Sequence, residues 1–184
     1  MSKAFEDATE RAESAGEGGP RWIPVAAAAL AVLAAVSGYL ANVRATKALI
    51  AKNDSIVATT RASDTYNEYQ AERLKYVVVE TALEAGTGPR ADVAKLRATA
   101  AHEAAKGPPL LKIAQSFDRQ AEELDQKSEH LMDQHETIEV GSTLFEVSIV
   151  LVSITALVGS RLLPLAAGIA AALGLLAFIF GLLR

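Results

Sequence analysis

The sequence predicts an all-α membrane protein: three transmembrane helices, with an extramembrane antiparallel helical hairpin, coiled-coil-like, inserted after the first. Three observations lead there. Apolar stretches occupy residues 22–41, 140–158 and 162–183; the charged residues are confined almost entirely to 1–21 and 42–139; and a heptad repeat runs through 110–138. Each apolar stretch is about 20 residues long, which at about 1.5 Å of helical rise per residue matches a hydrocarbon core of roughly 30 Å. Lipid offers peptide N–H and C=O groups no partners, so each stretch is expected to cross as an α-helix.

Composition narrows the class further. Of the 184 residues 51% are hydrophobic, yet 22% are charged, a mixture that suits neither a pure membrane bundle nor a soluble domain. The net charge of −4 argues against nucleic acid as a partner. The absence of Cys removes disulfides, thiolate catalysis and Cys-based zinc sites. Residues 1–21 carry Glu6, Asp7, Glu10, Glu13 and Glu17 and read as a flexible acidic tail. A signal peptide has a basic start and a shorter apolar core, so residues 22–41 are expected to be an uncleaved anchor. Arg21 and Trp22 suit the bilayer interface at its start.

The soluble stretch 42–139 takes its form from where helix breakers fall. No Gly or Pro lies between Tyr39 and Ala85, so the first membrane helix is expected to continue as a rod until Gly86-Thr87-Gly88-Pro89. A short Ala-rich helix at about 90–105 follows and is expected to end at Gly107-Pro108-Pro109. A second rod then starts at Leu110. Its seam alternates spacings of four and three through Ala114, Phe117, Ala121, Leu124, Ser128, Leu131, His135 and Ile138, a coiled-coil pattern. On the outbound rod the same spacing selects Leu49, Asn53, Ile56, Thr60, Ser63, Asn67, Gln70, Leu74 and Val77, apolar at both ends and polar in the middle. The two rods are expected to fold back on one another, capped by the short helix. Only Gly159-Ser160-Arg161 joins the last two membrane segments, which makes them an antiparallel pair. Small residues at Ala27, Ala31, Ala34, Gly38, Gly168, Ala172 and Gly174 allow close helix packing in lipid.

Three groups of residues carry candidate chemistry. Glu146, the only charge inside the apolar stretches, lies on a strip with Ser142 and Ser153. A carboxylate there costs about 2.5–3.5 kcal/mol on insertion scales. It therefore either lines a hydrated path, snorkels to the nearby interface, or bonds to a neighbouring helix. His135 and Glu139, at i and i+4, form a juxtamembrane polar site with metal-ligand spacing, but no second His completes a zinc motif, and a surface cluster accounts for them better. Tyr66, Tyr69 and Gln70 suit either recognition of a partner or filling of the seam. No phosphate loop or nucleophile–base set is present, so no catalytic activity, metal or cofactor is expected.

The run from Asn53-Asp54 through Asp64-Thr65-Tyr66-Asn67-Glu68-Tyr69-Gln70-Ala71-Glu72-Arg73-Leu74-Lys75 stands shortly after an Ala-rich first membrane helix. Together with Phe145-Glu146-Val147-Ser148-Ile149-Val150-Leu151 opening a terminal pair of membrane helices, it resembles a bacterial membrane family known only as a domain of unknown function. The resemblance spans most of residues 22–184 and implies a bacterial inner-membrane protein without assigned activity. One departure is Arg161-Leu162-Leu163-Pro164, where an aromatic-rich turn is expected.

Basic flanks set the expected orientation. Arg44, Lys47, Lys52, Lys127 and Arg184 on the coiled-coil side outnumber Lys3, Arg11, Arg21 and Arg161 by one, which places the coiled coil in the cytoplasm. Thin membrane bundles with small-residue faces favour self-association. The expected function is a homo-oligomeric membrane scaffold or signalling protein whose coiled coil binds itself or another protein. The alternative is an oligomeric ion channel or transporter with Glu146 lining a polar path.

Overall fold

The structure, a computed structural model, describes residues 22–86, 90–158 and 162–184. The acidic tail 1–21, the stop at Thr87-Gly88-Pro89 and the turn Gly159-Ser160-Arg161 lie outside the described residues. Those described form three helices: α1 (Trp22–Glu84), α2 (Arg90–Val158) and α3 (Leu162–Leu183). All three contain a stretch long and apolar enough to cross a membrane.

Local sequence explains the ends. Pro24 and Pro164 sit in the first turns of α1 and α3, where a missing N–H loses no intrahelical bond. At the other end of α1, Ala85 N–H reaches the Thr81 carbonyl at 3.0 Å and Gly86 N–H reaches that of Leu83 at 3.2 Å. Gly86 takes a φ of 64°, a left-handed conformation that glycine adopts without a Cβ clash.

One expected boundary is absent. The helix foreseen at 90–105 is the beginning of α2, which runs straight through Gly107-Pro108-Pro109. Proline inside a helix costs about 3 kcal/mol, through a lost N–H bond and a clash with the carbonyl four residues back. Here the carbonyls concerned belong to Ala104 and Ala105, which are exposed, as are both prolines, so solvent can satisfy them. Gly107 is buried, and a Cβ there would stand 3.2 Å from the Tyr69 ring. Packing on the inner side thus holds the helix together where its outer hydrogen bonds fail.

The chain divides into two compact units. In Lys47–His130, α1 meets α2 through small residues: Ala48, Ala51, Ser55, Ala58 and Ala62 are buried on α1, and Ala114, Ala121 and Ser128 on α2. The covered face of α1 is therefore not the expected one. Leu49 and Ile56 are 59% and 55% exposed, and the buried row begins one residue earlier, at Ala48. Backbone proximity is the reason. Ser128 Oγ donates to the Ala48 carbonyl at 2.8 Å, and Ser55 Oγ donates to that of Ala121 at 2.9 Å. Such bonds need small side chains between the helices; leucine or isoleucine in the same row would hold the backbones apart.

In the other unit, made of residues up to Thr46 together with Leu131–Arg184, the same device recurs. Ser142 Oγ donates to the Ala34 carbonyl at 3.1 Å, and His135 Nδ1 lies 3.0 Å from that of Ala41. Ile23, Val152 and Ala167 form a small apolar cluster joining all three helices. Against α2, α3 presents Ala167, Gly174 and Gly181, each seven residues apart and buried. Of the small residues singled out on this helix, Gly174 lies at the contact with α2, whereas Gly168 and Ala172 are exposed. A Cβ on Gly174 would meet the Gly141 carbonyl oxygen at 3.0 Å, and one on Gly141 would meet that of Gly174 at 2.9 Å. The backbones touch.

Candidate functional site

The expected recognition residues fall in the Lys47–His130 unit, and two of the three engage it. Tyr66 donates its hydroxyl to Asp118 Oδ2 at 2.7 Å, and this bond to a carboxylate raises the phenol pKa. Tyr69 packs on Gly107. Gln70, one residue further round the helix, is exposed. Tyr69, Arg73 and Tyr76 of α1 and Glu103, Pro108 and Leu111 of α2 surround an open cleft of about 380 Å³.

Beside that cleft lies a cluster of alternating charge that sequence reading missed. Glu72 accepts from Lys75 at 2.6 Å and from Lys106 at 3.4 Å, and Lys106 also donates to Glu103 at 2.9 Å. Hydrogen bonding from Lys75 above all, with Lys106 adding to it, lowers the Glu72 pKa to about 2. The carboxylate of Glu103 likewise raises the pKa of Lys106. A second link, Lys52 with Asp125, raises the lysine pKa in the same way. The i, i+3 spacing of Glu103 with Lys106 and of Glu72 with Lys75 was visible in the sequence. What joins the two pairs is the pairing of α1 with α2, and no local pattern shows it.

The strip expected along α2 is divided. Ser142 is buried and bonded to α1, whereas Glu146 and Ser153 are exposed, Ser153 returning its hydroxyl to the Ile149 carbonyl at 2.8 Å. Within one chain, then, Glu146 points away from the helices that pack on α2.

His135 and Glu139 do come together, with Nε2 and Oε2 3.3 Å apart. A carbonyl oxygen only accepts, so Nδ1 must carry a proton to bond Ala41; the contact with Glu139 becomes an ion pair once Nε2 is protonated as well. Among the described residues no group of three or more His, Asp or Glu side chains is placed to hold a metal ion. The arrangement orients helices through hydroxyl, imidazole and carboxylate contacts.

Among the described residues, fold and site together define an all-helical arrangement with three helices of membrane-crossing length and apolarity, tied by small-residue contacts and side-chain-to-backbone bonds. The chain belongs to the family described as Domain of unknown function (DUF4337), which matches residues 20–184. No curated protein and no solved structure matches it.

Proposed function

We propose that this protein is a homo-oligomeric scaffold or interaction protein of the bacterial inner membrane. In this reading residues 22–41, 140–158 and 162–183 cross the bilayer. Residues 42–139 form an antiparallel, coiled-coil-like hairpin on the cytoplasmic side, where the chain associates with itself or with another protein. The observation that carries it is apolar surface left open: only 17% of the most apolar window of α1, and 17% of that of α3, is buried within the chain. Water would penalise that exposure by about 25 cal/mol per Å², whereas lipid does not.

Glu146 gives the channel reading its one support, because a carboxylate on the open side of an apolar helix calls for a polar neighbour, and a second copy can supply it.

The test begins with attachment. The protein should stay in the membrane fraction through alkaline carbonate and leave it only with detergent. Release by carbonate alone would refute the membrane assignment and both functions built on it.

A further inference from the structure

We infer that the outward face of α1 from Leu49 to Val78 is a second packing seam, and that a second copy of this chain lies along it, parallel and in register. The inference rests on the reading of the protein as a self-assembling membrane protein and names the surface involved.

Leu49, Ile56, Leu74 and Val77 are 59%, 55%, 64% and 43% exposed, and Ile50, Val57 and Val78 extend the same face. Their spacing of three and four continues between them through Asn53, Thr60, Ser63, Asn67 and Gln70. The face that α1 turns to α2 is elsewhere. Ala51 and Ala58 precede Asn53 and Thr60 by two residues, about 200° away at 3.6 residues per turn. The stripe therefore lies opposite the contact with α2, and its apolar side chains are left exposed by the described residues.

Its size suits an interface. The seven apolar side chains, in two clusters, expose on the order of 700 Å², close to the roughly 800 Å² that each partner of a stable complex buries. Isolated apolar residues need no explanation, but a heptad row of them on a helix outside the apolar stretches does.

Its chemistry suits a copy of itself. A parallel two-fold axis sets each seam residue against its own counterpart, so a charge in the row would face a like charge. All nine residues from Leu49 to Val77 in the row are uncharged, although Lys52, Asp54, Arg61, Asp64, Glu68 and Lys75 lie among them. The polar ones are Asn, Gln, Ser and Thr, each both donor and acceptor, which can bond to an identical residue. Asn at such core positions fixes register and strand number in coiled coils. On the flanks, the nearest cross pairs would set Lys52 by Val57, Thr59 by Asp64 and Arg73 by Val78 of the second copy, with no like charges meeting. Direction follows from continuity. The apolar stretch 22–41 and the stripe belong to one helix, so two copies anchored in one bilayer run the same way.

The lack of Cys makes the test direct. Ser63→Cys and Gln70→Cys place one thiol in the seam of the full-length protein. Gln126→Cys places one on an exposed position of α2. Parallel seam positions bring Cβ atoms to disulfide distance. Oxidation in native membranes should move the first two from one chain mass to two and leave Gln126→Cys at one. Adding Ile56→Glu, which alters an exposed side chain, should abolish the cross-link while helicity and melting temperature hold. Cross-linking equally at all three sites, cross-linking that survives Ile56→Glu, or none from a multi-chain particle would overturn the seam and leave self-assembly standing. A covalent product with a protein of different mass, in place of the double band, would overturn it in favour of another occupant. One chain per particle would overturn the seam and the oligomeric reading together.

Discussion

Glu72 illustrates how much of this protein turns on single polar contacts. Its carboxylate sits between Lys75 and Lys106, and its pKa falls from an ordinary 4.5 to about 2. Because the folded-state value lies below the unfolded one, the cluster stabilises the fold above about pH 4.5, and that contribution vanishes as the pH drops towards about 2. Melting temperature followed by circular dichroism should decline over that window, and Glu72→Gln should flatten the decline; an unchanged acid profile in the variant would show that Glu72 does not drive it. Glu146 calls for a different measurement. Glu146→Gln keeps the shape and removes the charge, so a scaffold should stay assembled. If the parent protein carries cations into liposomes and the variant does not, Glu146 lines a path. No flux from the parent over several cations and pH gradients would eliminate the channel. Tyr66 and Tyr69 were legible as seam or recognition residues because large side chains stand out in an Ala-rich helix. Gln70 follows Tyr69 in sequence, but a 100° step round the helix takes it to the surface.

At the scale of the helix, glycine and alanine decide the contacts. Gly174→Val should cost about 1–3 kcal/mol, because its Cβ would meet the Gly141 carbonyl oxygen and the Leu144 and Phe145 side chains at 3.0–3.2 Å, and backbone cannot rotate aside. Gly168→Ala has open space around the new methyl and should leave the melting temperature unchanged or slightly raised. Equal losses from the two would refute the assigned face of α3. In the Lys47–His130 unit, Ala48→Leu adds three heavy atoms at a position with no exposure and should destabilise the fold, again by about 1–3 kcal/mol, read as a lower melting temperature. The same substitution at exposed Ala71 should be tolerated. The α1 seam was misplaced by one residue because hydrophobicity selects leucine and isoleucine, whereas close backbone approach selects alanine and serine.

For the whole molecule the measurable quantity is the number of chains. Light scattering in detergent, across a concentration series, should return more than one chain per particle. A single chain throughout would refute the scaffold and the channel alike, since both rest on assembly. Carbonate extraction and chain counting fail independently, so the membrane assignment survives a monomeric result.

The sequence by itself determined that the chain is helical and where α1 and α3 run. Apolar length and breaker-free stretches act locally, through backbone hydrogen bonding and solvent transfer, and they remain readable without knowing any neighbour. So, too, was the row on α2 from Ala114 to Ile138, because apolar spacing there coincides with contact. Tertiary structure decided the rest. Pro108 and Pro109 stay within α2 because their freed carbonyls face outward and Gly107 admits Tyr69 on the inner side. Glu72 joins Lys106 across 34 residues of chain, a proximity that only helix pairing creates. The contact face of α1 is Ala and Ser and not Leu and Ile, because the energy of a close helix pair depends on how near two backbones come, which single-helix hydrophobicity does not encode.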